Sequence, residues 1–153
     1  MGSILVWLTY LPHWKETSDQ SAKLAAFSTA PAIRDKPKNL IAEIIGTFVL
    51  VLGVLTILRP ENLVPGSGFD RGFGPLLVGL LVLSIGLSLG GPTGYAINPA
   101  RDLGPRIAHA ILPIHGKGDS DWSYAWVPIV GPVIGGAIAA FVFKWLWTIT
   151  PTP

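Results

Sequence analysis

The sequence predicts an all-α membrane protein with three transmembrane helices and one short helix that enters the membrane without crossing it. Half of the 153 residues are hydrophobic, only 13% are charged, and the mean hydropathy is +0.52. Soluble proteins average about 25% charged residues, so this balance favours a membrane protein. Three apolar runs approach the roughly 20 residues that a spanning helix needs. They are Leu40–Leu58, Phe73–Leu89 and Ala125–Trp147.

The remaining segments connect or flank these spans. Ile4–Leu11 is apolar but too short to cross a bilayer, so about residues 1–14 are expected to be the end of a preceding helix. Residues 12–39 form a polar connection, of which 15–39 is assigned as loop. Breaker residues predict loops or extended chain at Arg59–Gly72, Gly90–Ile97 and Pro113–Trp122.

The short helix is predicted at Asn98–Leu112, between the second and third spans. Asn98 is a strong N-cap, and Pro99 suits the first helical position because its missing N–H costs nothing there. Such a helix directs its free N–H groups and its positive dipole end back toward the Gly-rich segment before it. Within a membrane, a helix start of this kind must be covered by protein or face water. The segment therefore predicts a pore or a substrate site.

Charge and composition argue against several other functions. The formal net charge is +2 without a basic cluster, which gives no indication of nucleic-acid binding. No cysteine is present, so thiolate metal sites are ruled out. The three histidines do not have metal-ligand spacing with carboxylates, and we interpret them as interface or loop residues: His13, His109 and His115. We expect no catalytic residues, cofactor or metal, and therefore no enzyme.

One resemblance depends on the run Asn98-Pro99-Ala100-Arg101 with Asp102 after it, on the lead-in Gly90–Gly94, and on Val127–Pro132 in the last span. With these motifs the chain resembles the aquaporin and glycerol-facilitator family, the major intrinsic proteins, from Ile4 to about Leu146. An aspartate at position 102 resembles the glycerol-conducting branch. The implied fold is an aquaporin-like second half-repeat, residues 40–149, within a single partial domain, 1–153.

Family members carry two Asn-Pro-Ala boxes, one in each inverted half, and this chain has one. The resemblance therefore implies a missing N-terminal half-repeat as a partner. We expect the chain to be a fragment, a truncated reading frame or one part of a split protein.

The resemblance also assigns site residues. The pore selectivity filter would be Gly86, Tyr95 and Arg101, and the motif would be Asn98, Pro99 and Ala100. Backbone carbonyls along the substrate path would be those of Thr93, Gly94, Tyr95 and Ala96. Arg101 would donate to two polyol hydroxyls at once, Tyr95 would face the carbon side of the polyol, and Gly86 would leave room for a three-carbon chain.

Structural support is expected from Glu43 and Asp102. Glu43 is costly inside a span unless it is satisfied. It is interpreted either as an interfacial carboxylate near a helix start or as a buried acceptor for the N–H groups of residues 90–97. A salt bridge between Arg101 and Asp102 is disfavoured, because neighbours on a helix point in different directions.

The function implied is a passive channel for glycerol, small uncharged polyols and water. It would lie in the lipid bilayer of the cell membrane as a multi-pass protein, homotetrameric when complete. Two alternatives stay open: an inactive remnant, or a subunit of a broken-helix secondary transporter. Positive-inside counting would place residues 12–39 in the cytoplasm, whereas the family arrangement, which we prefer, places them outside.

Overall fold

The computed structural model describes residues 1–59 and 69–149, and all regular elements in these ranges are helices. The seven helices are α1 (Gly2–Thr9), α2 (His13–Glu16), α3 (Gln20–Ala25), α4 (Lys36–Ile57), α5 (Phe69–Leu89), α6 (Pro99–Ile111) and α7 (Val127–Ile149). Three of them are long and apolar enough to cross a membrane, namely over Lys36–Ile57, Gly72–Leu89 and Val127–Trp147. The predicted all-α fold class with three spans is confirmed.

Two spans begin earlier than the apolar runs suggest. Helix α4 begins at Lys36, because Asp35 caps it through a 3.2 Å hydrogen bond from the Lys38 N–H, and a proline occupies the first turn. Helix α5 begins at Phe69, so the last four residues of the predicted loop Arg59–Gly72 are helical. Residues 60–68 of that predicted loop lie outside the described residues.

The polar connection over residues 12–39 is more ordered than predicted, since it contains α2 and α3. Asp19 caps α3 by accepting a 2.8 Å hydrogen bond from the Ser21 N–H. Trp14 of α2 donates to the Trp7 carbonyl at 2.9 Å and packs with Phe27 and Ile114 in a buried cluster. Apolar side chains in this mostly polar segment therefore pack it against the chain that follows α6.

Small residues bring α4 and α7 into close contact. A Cβ atom at Gly131 would lie 2.6 Å from the Glu43 Cβ, and a Cβ at Gly135 would overlap the Ile44 carbonyl oxygen. No larger residue fits at either position without moving the helices apart. This packing seals the α7 side of Glu43 and leaves its carboxylate to meet the segment before α6.

Candidate functional site

Helix α6 is a half-helix of 13 residues that begins at the predicted residue. Asn98 is extended, with a φ of −161°, and its Oδ1 accepts a 2.9 Å hydrogen bond from the Ala100 N–H. Asn98 is exposed, and its amide nitrogen donates to no protein atom in the described part of the chain. The cap therefore fixes one end of the amide and leaves the N–H2 group free to donate beside the helix start.

Glu43 holds the segment that leads into α6. Its side chain is buried, with 1% exposed. Its carboxylate accepts three hydrogen bonds: from the Thr93 hydroxyl at 2.6 Å, from the Ala96 N–H at 3.0 Å and from the Ile97 N–H at 2.7 Å. A carboxylate at the membrane interface would be exposed, so the geometry agrees with the buried-acceptor interpretation.

These hydrogen bonds stabilise an unfavourable backbone. Gly94 has a φ of 75°, which glycine adopts readily, but Tyr95 at 41° and Ile97 at 44° are not glycines. Left-handed conformations cost ordinary residues roughly 1–2 kcal/mol each, and Ile97 is β-branched. The Glu43 carboxylate binds the N–H groups of residues 96 and 97, which lie within this strained stretch.

Arg101 lies three residues into the half-helix sequence and bends back over the same segment. Its Nη1 donates to the Tyr95 carbonyl at 2.9 Å and to the Gly94 carbonyl at 3.3 Å. Its guanidinium carbon lies 4.6 Å from the centroid of the Tyr95 ring, within cation–π range. Two of the four predicted substrate-path carbonyls are thus already bound by the Nη1 group of this arginine, whose side chain is otherwise exposed.

Tyr95 lies against the end of α5, where Gly86 in the helix and Gly90 just after it make room for its ring. A Cβ at Gly86 would be 3.1 Å from the Tyr95 Cζ, and a Cβ at Gly90 would be 2.8 Å from its Cδ1. The space left by Gly86 is therefore partly filled by Tyr95 itself. Beside the pair runs a groove of about 400 Å³, lined also by Gly79, Val82, Leu83 and Leu87.

Asp102 turns away from Arg101 and pairs with Arg106 one turn further along α6. The two side chains are fully buried, with Arg106 Nε 2.8 Å from Asp102 Oδ1 and Nη2 2.9 Å from Oδ2. Asp102 also accepts from the N–H and the hydroxyl of Thr29, both at 2.8 Å. Arg106 donates to the carbonyls of Ser120, Asp121 and Thr29. Every charge in this buried pair is thereby satisfied, and two distant segments, at Thr29 and at Ser120–Asp121, are tied to α6.

A second ion pair closes the same region at the surface. Both terminal nitrogens of Arg34 donate to the Asp121 carboxylate, at 3.1 and 2.5 Å, and Arg34 lies 5.5 Å from the centre of the Tyr124 ring. Partial burial works to raise the pKa of Asp121, but the hydrogen bond and charge of Arg34, with smaller contributions from Ser123 and Arg106, outweigh it and hold that pKa below its usual range. The pair joins the segment before α4 to the loop before α7.

Sequence reasoning missed two residues of this network, Thr29 and Ser120, because neither belongs to a motif. The pairing of Arg106 with Asp102 matches their spacing of one helical turn. The interpretation of all three histidines as interface or loop residues is wrong for His109, which is fully buried in α6. Its ring packs edge-on against Phe27, so the apolar cluster of residues 12–39 covers it.

Comparison with known proteins gives consistent results. The family model for major intrinsic proteins matches residues 1–143. The chain is 64% identical over 147 residues to a probable glycerol uptake facilitator protein of Thermotoga maritima, covering 96% of this chain and 60% of that protein. It is 56% identical over 144 residues to a glycerol uptake facilitator protein of Bacillus subtilis, covering 94% of this chain and 50% of that protein.

A solved structure, the aquaglyceroporin from Plasmodium falciparum, is similar with a TM-score of 0.75 at 27% identity. The similarity covers 97% of this chain and 60% of that one. The chain thus spans less than two thirds of the length of the relatives that it matches. The family model, the sequence relatives and the fold agree that this chain belongs to the major intrinsic protein family.

Proposed function

We propose that this chain is one half of a passive channel for glycerol, small uncharged polyols and water. It acts without a cofactor or catalytic residues. In this proposal the chain lies in the cell membrane as a multi-pass protein, pairs with an N-terminal half-repeat, and assembles as a homotetramer when complete. The glycerol uptake facilitators of Thermotoga maritima and Bacillus subtilis support the choice of permeant.

The observation that carries the proposal is the fixed pair of donors at the start of α6. Asn98 is held by its cap to Ala100, and Arg101 is held by two backbone carbonyls. Both side chains are exposed rather than buried in the protein. Donors fixed in place bind a passing hydroxyl oxygen without a cost of reorganisation, and the positive helix end with the arginine repels cations.

The proposed filter combines this polar edge with an apolar face. Tyr95 packs on Gly86 and under the Arg101 guanidinium, so one wall offers an aromatic ring and the next offers N–H donors. A polyol has hydroxyls along one side and carbon atoms along the other, and this wall suits both sides. Water satisfies only the polar edge, and we expect it to pass as a smaller permeant.

A partner half is part of the proposal because a pore of this family needs two half-helices that meet at mid-membrane, and the described residues hold one such half-helix, α6. Two copies of this chain cannot simply replace the missing half, since the two halves run in opposite directions through the membrane. A broken-helix transporter is disfavoured because Glu43 is occupied by three hydrogen bonds and offers little for ion coupling.

The test is osmotic swelling of proteoliposomes in a glycerol gradient. We expect vesicles that contain this chain alone to swell no faster than empty vesicles. Co-reconstitution with the N-terminal half of the Thermotoga maritima relative should restore rapid glycerol entry. A sugar alcohol of six carbons serves as the size control. Swelling by the chain alone contradicts the need for a second half, and no swelling with both halves favours the inactive-remnant alternative.

A further inference from the structure

His109 is a fully buried titratable group with a single polar partner. Its Nδ1 lies 2.8 Å from the Ser120 hydroxyl, and its Nε2 has no hydrogen-bond partner in the described part of the chain. The Phe27 ring packs edge-on with its centroid 5.5 Å away. In the neutral imidazole one nitrogen can be satisfied by Ser120, but the imidazolium would carry a second N–H with no acceptor.

The charges around the ring also oppose protonation. Arg106 lies on the same helix, and Lys117 in the following loop donates to the His109 carbonyl at 2.7 Å. Asp119 is the nearby carboxylate that favours the charged ring, while the Asp102 carboxylate is taken up by Arg106. On the α3 side, the buried Lys23 ammonium donates to the His115 carbonyl of the same loop.

Burial, with help from Lys117 and Arg106, lowers the pKa of His109 below its ordinary value, and Asp119 offsets this only in part. The folded loop therefore binds fewer protons at this site than an opened loop would. The contribution of neutral His109 to the stability of the folded loop is fully present above the ordinary histidine pKa of about 6.5. This contribution is lost as the pH falls from there toward the lowered pKa.

The loop that contacts His109 through Ser120 is connected to the proposed filter by a series of contacts. Ser120 binds His109 through its hydroxyl and Arg106 through its carbonyl. Arg106 in turn holds Thr29, whose side chain lies 3.5 Å from where a Gly94 Cβ would stand. Gly94 is the residue whose carbonyl accepts from Arg101. A rearrangement at Ser120 therefore removes one acceptor of Arg106, the residue that binds the Thr29 carbonyl behind the proposed filter.

We propose that His109 is a positioning residue: its neutral imidazole holds the loop of residues 113–121 against Arg106, and its protonation in acid opens this loop and reduces conduction. The opening of the loop follows from the contacts and burial of His109 in this chain and does not depend on the channel function. The effect on conduction rests in addition on the proposed channel function.

The first test measures amide hydrogen exchange of residues 113–121 in the detergent-solubilised chain between pH 7.5 and 5, corrected for the intrinsic pH dependence of exchange. Between the ordinary and the lowered pKa, the opening equilibrium is expected to rise about tenfold for each pH unit of acidification. His109→Asn keeps a hydrogen bond to Ser120 without titrating and should abolish this rise. His115→Asn, an exposed histidine in the same loop, is the matched control and should retain it.

Equal pH dependence in the wild-type chain and the His109→Asn variant overturns the proposal. Nitrogen NMR of the wild-type imidazoles provides a second measurement, which does not depend on the folding of the variant. His109 should titrate below the ordinary histidine pKa, together with the increase in exchange. Titration of His109 at the ordinary histidine pKa, or without loop opening, also overturns it.

The second test compares glycerol swelling rates at pH 7.5 and 5 in vesicles that contain both halves. Vesicles with the wild-type chain should swell more slowly at pH 5 than at pH 7.5. Vesicles with the His109→Asn variant should swell at the same rate at both pH values. If exchange shows the loop opening but flux does not change with pH, the coupling to conduction is refuted while the channel function stands. If neither pH value gives flux, the channel function fails and the exchange result still decides the role of His109 in the loop.

Discussion

Replacing Glu43 by glutamine should release the segment of residues 93–97. The carboxylate accepts from the Thr93 hydroxyl and from the N–H groups of Ala96 and Ile97. A glutamine keeps one acceptor oxygen but presents an N–H2 group where the other oxygen stood. The Ile97 N–H donates to Oε2, and the Thr93 hydroxyl and the Ala96 N–H donate to Oε1. Whichever of the two positions the N–H2 group of glutamine takes, at least one of these donors then faces another donor inside a buried site.

The size of the effect follows from these contacts. One buried donor left unsatisfied costs about 1–3 kcal/mol, and the remaining bonds lose the charge assistance that makes a hydrogen bond to a carboxylate about twice as strong. The left-handed residues Tyr95 and Ile97 favour opening by roughly 1–2 kcal/mol each in wild type and variant alike, so this strain does not enter the difference between them. We therefore expect E43Q to destabilise the closed segment by about 2–4 kcal/mol, or roughly 30-fold to several hundred-fold in its opening equilibrium.

Hydrogen exchange at the amides of Ala96 and Ile97 measures this opening directly. Protection should fall by the expected factor in E43Q and stay unchanged in E16Q, which removes an exposed carboxylate from α2. Protection within about threefold of wild type in E43Q would show that the segment keeps its shape without the carboxylate, and the proposed balance between hydrogen bonding and backbone strain would be wrong.

Three further outcomes are expected. In the completed channel, R101A should raise ion leak more than it lowers glycerol flux, since the fixed charge and donors are lost; abolished flux with unchanged leak would make the arginine purely structural. G86H should cut glycerol flux far more than water flux. Its Cβ alone would lie 3.1 Å from the Tyr95 Cζ, so the imidazole beyond it would narrow the space beside Tyr95 and exclude the larger permeant first. An equal fall in both fluxes would indicate damaged packing only. R34A should cost about 1 kcal/mol or less in thermal unfolding, since Arg34 is half exposed, and high salt should weaken the pair. The contribution of the Asp121 pair should be present above about pH 4 and lost as the pH falls further, and R34A should weaken this dependence, because Ser123 and Arg106 also lower the pKa of Asp121.

The fold and the half-helix could be predicted because their signals are local. Apolar runs mark the spans, and Asn98 with Pro99 marks the start of α6 within the sequence itself. Span starts were less predictable: α4 begins with the cap Asp35 in a polar stretch that hydropathy assigns to the loop. A cap is a stronger boundary signal there than the first apolar residue.

The supporting network could not be predicted, because its partners are far apart in the chain. Asp102 meets Thr29 across 73 residues, and Arg34 meets Asp121 across 87. Neither threonine nor an exposed arginine in a loop carries a pattern that points to a particular partner. The burial of His109 was missed for the same reason, since Phe27, which covers it, comes from a connection that is polar on average.

The hydrogen bonds of Glu43 have a consequence for the order of assembly. Its acceptor contacts reach 50 to 54 residues ahead in the chain, to Thr93, Ala96 and Ile97. When α4 enters the bilayer during synthesis, the segment that will satisfy its carboxylate has not yet been made. A charge in this state is expensive in lipid, so the nascent α4 must keep Glu43 near water or near the insertion machinery until residue 97 has emerged. At about 5–20 residues per second, that wait lasts seconds, which is long enough for a chaperone or a protease to act on the half-made protein.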